Sequence, residues 1–431
     1  MKKKFLLMSG VVLGVAGLAS CAPKADLRTV SMFGGTDAHA AAYQDFMAEF
    51  IKENSTEDHQ LVIEDSSATA DEEWKTSVMS QFYSGDEPDV LFYFNGAAAK
   101  PLVDEKKVVS VAEIRKEYPN YAKNINPNTM DPYCVPLKGF VEGLFVNEEL
   151  FTSDTLKPLI KKDAWTWEEF QTVCTELKKD GKTPVALGAQ DVPHYWIEHL
   201  ILGMNGENAF KNIPTAEAFE AADGKGTTAA DGWIKALSMF KTLADDGVFG
   251  ETKGSQKNDV AGTQFFEGKA GMILDGSWFA GQVGEKMGKD AKVKMMPFPS
   301  IPESMGGKNK NFMQSGFTSG FYITTKCWNN PEKRDLAVKF VEKMTSTAAV
   351  TRFCKDAGGV PADDKAVVAN LNYLNTSINN MPSRTDSATL PLGDTAKANT
   401  FKHLVDGSSA YLTANLTDMK AALKKFADAQ K

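Results

Sequence analysis

Apolar positions along this chain fall into short runs separated by stripes at helical spacing, and that alternation predicts α/β layering. Val30-Ser31-Met32-Phe33 reads as a strand that stops at Gly34-Gly35. Tyr43, Phe46, Met47, Phe50 and Ile51 then repeat as one face of a helix. Leu61-Val62-Ile63 reads as a second strand, and Trp74, Val78 and Phe82 stripe the next helix. After the turn Gly85-Asp86-Glu87-Pro88, residues 89–93 read as a buried strand. Thr166-Trp167-Glu168-Glu169 has the form of a capping box, in which the threonine oxygen accepts from the amide three residues on and Glu169 reaches back. Phe170, Val173, Cys174 and Leu177 continue it as an apolar stripe, Gly181 suits the stop, and residues 184–187 resume as strand. Residues 222–228 read as a loop. Asn330-Pro331 opens a late helix with Leu336, Phe340, Val341 and Met344 on one face.

Length turns this alternation into an architecture. At 431 residues, 42% of them hydrophobic, the chain exceeds one typical compact domain, so two lobes are expected. A net charge of −8 argues against a basic stripe for nucleic acid and against adsorption to an anionic membrane by charge. Lys2 to Lys4 precede an apolar stretch over residues 5–18, too short to span a bilayer comfortably, and Leu18-Ala19-Ser20-Cys21 follows. This resembles a bacterial lipoprotein signal. It implies a signal peptide over 1–20, an acyl lipid such as palmitate on Cys21, and a short tether over 21–27. No later segment reaches the roughly 18 apolar residues of a spanning helix. Cys134, Cys174, Cys327 and Cys354 match no zinc or redox spacing and are read as small buried apolar side chains, with up to two disulfides as the alternative.

Catalytic motifs are not found. His194 with Glu198-His199 has three residues where the inverted zincin pattern needs two. Gly316-Phe317-Thr318-Ser319-Gly320 lacks serine at the nucleophile-elbow position, and no Walker A or dinucleotide fingerprint is present. A carboxylate pair of the glycosidase kind is a matter of spatial separation, which sequence does not give.

The stretch Phe265-Phe266-Glu267-Gly268-Lys269-Ala270-Gly271-Met272-Ile273-Leu274-Asp275-Gly276-Ser277-Trp278 resembles the core motif of bacterial extracellular solute-binding proteins of the sugar-binding type, the maltose-binding-protein superfamily. In the same order as in that family, the chain also carries Pro88 to Tyr93, Val135-Pro136-Leu137, Glu142 to Leu150, Trp165 to Phe170, and Thr183-Pro184 with Leu187-Gly188. The resemblance implies two α/β lobes of the type II periplasmic-binding-protein kind, with a ligand cleft between them. Crossings are expected near 141–144, 318–320 and 359–361. One lobe would take 28–142 plus 320–359, the other 143–319 plus 360–431. It implies a monomeric, cofactor-free, non-enzymatic lipoprotein, anchored at the extracytoplasmic face of the cell membrane, that captures a carbohydrate and delivers it to the permease subunits of an ABC importer. A non-sugar solute, or a secreted carbohydrate-active enzyme, is the alternative.

Sugars present C–H faces to aromatic rings and hydroxyls to polar groups. Trp278 matches the family's stacking tryptophan, with Asp275 at the turn before it either accepting from a hydroxyl or capping the next helix. Tyr93 or Asn95 matches a cleft aromatic element. Phe33, Gly34 and Gly35 join the first strand to the first helix, where glycines let a ligand approach amides. Glu142 matches a glutamate at the first crossing, and a carboxylate in an apolar strand is costly unless paired, with Lys138 as one partner. Asp191, Tyr195 and Trp196 match an acidic-plus-aromatic loop, and Ser315 lies just before the second crossing. Between Pro382 and Thr400 the family's late stacking aromatic is missing, and Arg384 stands out instead, which puts a long stacked maltodextrin in doubt.

Overall fold

The structure is a computed structural model that describes residues 25–34, 39–68, 72–251, 256–369, 371–396, 404 and 415–431. The expected signal peptide, Cys21 and Gly35 lie outside the described residues.

The first lobe is built on a four-stranded sheet in the order β2-β1-β3-β9. Its strands are β1 (Leu27–Val30), β2 (Ile63–Asp65), β3 (Val90–Phe94) and, from far along the chain, β9 (Ser319–Ile323). β1 runs parallel to β2 and β3, while β9 runs antiparallel to β3 with Tyr93 opposite Gly320 and Phe94 opposite Ser319. The helices Ala40–Asn54 and Glu72–Ser84 are the crossovers. On the first, Tyr43, Met47 and Phe50 are buried while Phe46 and Ile51 pack at the margin. On the second, Trp74, Val78 and Phe82 are buried as their spacing predicts.

The second sheet has seven strands, five on the path β11-β8-β4-β6-β5 and two more, β7 and β10, that also pair β4. The long strand β4 (Lys138–Asn147) organises it. Its beginning pairs β10 (Val360–Pro361) and β8 (Phe312–Gly316); its middle pairs β6 (Ala270–Gly276); its end pairs β7 (Val293–Met296). β5 (Thr183–Ala186) extends the sheet parallel to β6, and β11 (Ser387–Thr389) closes the other edge on β8. Strand alternation sends Leu144 and Val146 to one apolar core and Val141 and Phe145 to another on the opposite face. Glu142 therefore shares the face of Leu144, which the helix Pro193–Asn205 covers.

Local signals explain most helix ends. The capping box forms: Thr166 Oγ1 accepts from Glu169 N at 3.3 Å and Glu169 Oε2 from Thr166 N at 3.1 Å. Gly181 follows that helix at a φ of 69°, which favours glycine. One element departs from expectation. Residues 193–196, read as part of a loop, form the first turn of the helix Pro193–Asn205. Pro193 sits where its missing N–H costs nothing, so proline starts this helix. Cys134, Cys174, Cys327 and Cys354 lie buried in the apolar cores, and none pairs with another among the described residues. Burial pushes the Cys327 and Cys354 thiols up to about 12. No helix among the described residues is long and apolar enough to cross a membrane.

Candidate ligand-binding site

The site starts from one register pair. Glu142 on β4 stands opposite Gly276, the last residue of β6. The chain turns directly after it and lays the Trp278 indole back over Gly276, so closely that a Cβ there would come within 2.2–2.4 Å of three ring atoms. Glycine is thus the seat of the tryptophan. Phe140 lies on the same face of β4 two residues before Glu142, and its ring centroid is 5.6 Å from that of Trp278. Tyr195 approaches from the helix Pro193–Asn205, at 6.4 Å from Trp278. These groups line a cavity of about 240 Å³. His194 and Glu198, four apart on the same helix, add a polar wall. The first lobe contributes Phe94, the last residue of β3, and Thr318, which precedes β9. Pro391 and Gly393 close one side, tied in by the Leu392 amide, which donates to Glu198 Oε2 at 3.0 Å.

Charge is concentrated here. Glu142 is 3% exposed, Glu198 1% and Asp275 1%. Asp275 Oδ2 accepts from Asn258 Nδ2 at 2.9 Å and Oδ1 from Gly276 N at 2.7 Å, and burial raises its carboxyl to about 6 despite those bonds. Burial, then the fields of Asp275, Glu142 and Glu198, hold the Tyr195 phenol well above its ordinary value. Burial pulls both His194 and His199 down to about 4, so both rings are neutral at pH 7. His199 Nδ1 lies 2.8 Å from the Tyr195 carbonyl and 3.1 Å from Gln314 Nε2, and buttresses the helix beneath the site. Among the described residues no cluster of three or more His, Cys, Asp or Glu side chains is arranged to hold a metal ion.

The sequence-derived candidates separate into two groups. Glu142, Tyr195 and Trp278 line the cavity, and Asp275 stands behind its wall. The other described candidates are engaged elsewhere. Phe33 is buried in the first lobe's core at 4.4 Å from Phe92. Gly34 packs against the Ala68 backbone, where a Cβ would meet Ala68 Cα at 2.4 Å. Tyr93 is buried against Trp74 at 5.4 Å, and its neighbour Phe94, pointing the other way by strand alternation, reaches the cavity instead. Asn95 donates to the Phe317 carbonyl at 2.8 Å and Ser315 to the Phe140 carbonyl at 2.6 Å, so both staple the crossing strands. Asp191 Oδ2 accepts from Asn258 N at 2.8 Å, at the start of the helix Asn258–Phe266. Trp196 is a core residue against Phe170, Phe249 and Phe298. Successive helical residues diverge by about 100°, so Tyr195 and Trp196 serve different faces. Arg384 donates to the Met295 carbonyl at 2.9 Å and to that of Ser377. Lys138 donates to the Gly358 carbonyl at 2.6 Å.

Phe94, Phe140, Thr318, Pro391 and Gly393 are lining residues that sequence reasoning did not single out. Phe140 carried a signal: it is two residues before Glu142 on a strand and must share its face.

The profile of the bacterial extracellular solute-binding protein family matches residues 36–351, and the chain belongs to that family. A binding protein of Brucella abortus (strain 2308) is 20% identical over 275 residues, which is 62% of this chain and 59% of that protein's length. The chain thus spans under two-thirds of the curated relatives it matches. Solved structures show the same two-lobed fold over nearly the whole chain. A chitin oligosaccharide binding protein is 19% identical with a TM-score of 0.76, over 94% of this chain and 98% of that one. RafE in complex with raffinose is 16% identical at 0.71, over 94% and 99%. The maltodextrin-binding domain MalE of Bdellovibrio bacteriovorus, bound to maltotriose, is 17% identical at 0.66, over 94% and 98%.

Proposed function

We propose that this member of the bacterial extracellular solute-binding family is the capture component of an ABC importer, held by a lipid on Cys21 at the extracytoplasmic face of the membrane. It takes up a sugar or oligosaccharide in the cleft and passes it to the permease subunits, working as a monomer without a cofactor. One observation carries the reading: an aromatic-walled, acid-bearing cavity assembled from both lobes. Trp278, Phe140 and Tyr195 offer ring faces to sugar C–H groups, and Glu142 and Glu198 accept from hydroxyls. A ligand that touches Phe94 and Thr318 on one side and Trp278 on the other binds the closed state better than the open one, and so favours closure. The sugars named for the chitin oligosaccharide, raffinose and maltotriose binders support the carbohydrate class.

The proposed crossings follow the cores. Leu137 packs in the first lobe and Val141 in the second; Met313 packs in the second and Phe321 in the first; Ala362 packs in the first and Leu374 in the second. Near the proposed third crossing at 359–361, Val360 packs against the second lobe's core between Cys354 and Ala362 of the first.

The test is tryptophan emission and melting of the purified protein across mono- and oligosaccharides, with polyamines, amino acids and sugar acids as controls. A saturable response to a sugar, lost in Trp278→Ala with the fold intact and without any product formed, is the expected result. Turnover of the sugar would overturn the receptor reading in favour of an enzyme that uses the two cavity carboxylates. A response confined to a control would overturn the carbohydrate class.

A further inference from the structure

We propose that residues 391–393 form an end wall that limits the cavity to a single sugar ring, and that Glu198 is the positioning residue that holds this wall in place. This rests on the carbohydrate-receptor reading and narrows its ligand to a monosaccharide.

The wall is anchored before, within and behind the cavity lining. Before it, β11 pairs β8 from Ser387 to Thr389, and Asp386 Oδ2 accepts from Asn311 N at 2.7 Å. Leu390 then packs on Gly316, where a Cβ would come within 2.2 Å of Leu390 Cδ2. Within the wall the Leu392 side chain is buried in the second lobe's core, while Pro391 and Gly393 on either side of it line the cavity. The Leu392 carbonyl accepts from Ala396 N at 2.8 Å, and its amide donates to Glu198 Oε2 at 3.0 Å. That last bond joins the wall to the helix Pro193–Asn205. The next residue of the helix, His199, meets Gln314 on β8 at 3.1 Å, so helix, wall and sheet are tied to one another. A buried main-chain amide that loses its acceptor is costly, so without the Glu198 oxygen the wall is free to move toward water.

Size points to one ring. A cavity of about 240 Å³ is below the roughly 300–1,000 Å³ of drug-sized sites. Its aromatic residues are gathered around that one space: Phe140 and Tyr195 stand 5.6 and 6.4 Å from Trp278, centroid to centroid. Aromatic groups spread along a groove would instead present successive faces to successive sugar units. The sequence from Pro382 to Thr400, which contains the wall, has no aromatic residue, so that side offers no ring to a second unit.

Isothermal titration of the purified protein tests this with three pairs: glucose and maltotriose, N-acetylglucosamine and triacetylchitotriose, galactose and raffinose. In the pair that responds, the parent protein should bind the trisaccharide no more than about threefold tighter than the single sugar, within the two- to tenfold that one extra ring contact supplies. Glu198→Ala removes the acceptor, and Pro391→Gly trims the wall without touching Glu198 or Leu392. Both should raise the trisaccharide-to-monosaccharide affinity ratio by about threefold or more. Glu198→Gln keeps a carbonyl oxygen for the Leu392 amide and should keep the parent ratio, even where it weakens both sugars alike. Melting curves report which variants fold, and Pro391→Gly decides the matter of the wall if Glu198→Ala does not. A trisaccharide preference beyond threefold in the parent, or a ratio unchanged in folded Pro391→Gly, would overturn the wall and leave the sugar receptor standing. An unchanged ratio in folded Glu198→Ala, loss of both sugars there, or a ratio in Glu198→Gln that shifts as it does in Glu198→Ala would overturn the positioning role. Silence to all three pairs would overturn the receptor reading and this inference together.

Discussion

Replacing Gly276 with alanine tests the site without removing any group from it. The added methyl would stand 2.2 Å from Trp278 Cη2 and within 2.4 Å of two further indole carbons. Carbon atoms rest at about 3.5–4.0 Å, so the indole must retreat by more than about 1 Å. It can do so, because Trp278 is only half-buried and faces the cavity. Gly276 is not among the glycines in the left-handed region, so the backbone bears no strain from the new side chain. The opposite residue, Glu142, keeps its ladder position. Overpacking of this kind costs about 1–3 kcal/mol; a site whose clashing neighbour is a half-buried ring with room to yield belongs at the low end, about 1 kcal/mol. Displacing a stacking ring removes a further about 0.5–1.5 kcal/mol from ligand binding, or about two- to tenfold in affinity. Urea unfolding followed by tryptophan emission reads the first effect, and titration with a sugar to which the parent protein responds reads the second. Unfolding energy within 0.3 kcal/mol of the parent (about the additivity error of such measurements), together with unchanged emission, would show that the indole does not rest on Gly276, and the construction of the site from that register pair would fail.

Three further outcomes are expected. Asp275 ionises near 6 in the folded protein rather than near 3.8, so folding holds its proton more tightly. The stability this gives is complete below about pH 4 and is lost as pH rises to about 6, about 3 kcal/mol in all, and Asp275→Asn should flatten the pH profile in that window; a variant whose profile runs parallel to the parent's would refute the burial argument. Trp196→Ala should cost about 3–5 kcal/mol in chemical denaturation because the side chain fills the core, whereas Trp278→Ala should cost clearly less and abolish the ligand response; the reverse order would exchange the two roles. The four buried thiols should resist a thiol reagent in the native protein and all react in denaturant; a fast native thiol, or fewer than four on unfolding, would contradict their burial as free cysteines.

The linear pattern by itself determined the layering, the elements and several of their ends. Those features depend on neighbours within one turn or one strand. Trp74, Val78 and Phe82 are buried because a period near 3.6 puts them on one face, and Thr166 and Glu169 cap each other because three residues separate them. Trp278 and Glu142 were legible through the family resemblance, and Asp275 through its turn. What only the tertiary structure decided is which member of each pair of neighbours faces the cleft. Phe94 lines it rather than Tyr93, and Tyr195 rather than Trp196. A strand buried on both faces shows no alternation of polar and apolar residues, so β3 gives no sign of which face meets the other lobe. The start of the helix at Pro193 sets the rotation that separates Tyr195 from Trp196. Arg384 looked free in the sequence because one of its carbonyl partners, Met295, lies 89 residues away and the other, Ser377, comes near only through the turn that follows its helix. Glu142 and Glu198 are 56 positions apart in sequence, and the packing of the helix Pro193–Asn205 over β4 puts both carboxylates on one cavity. The charge of the site is thus a product of packing, which no local window of sequence contains.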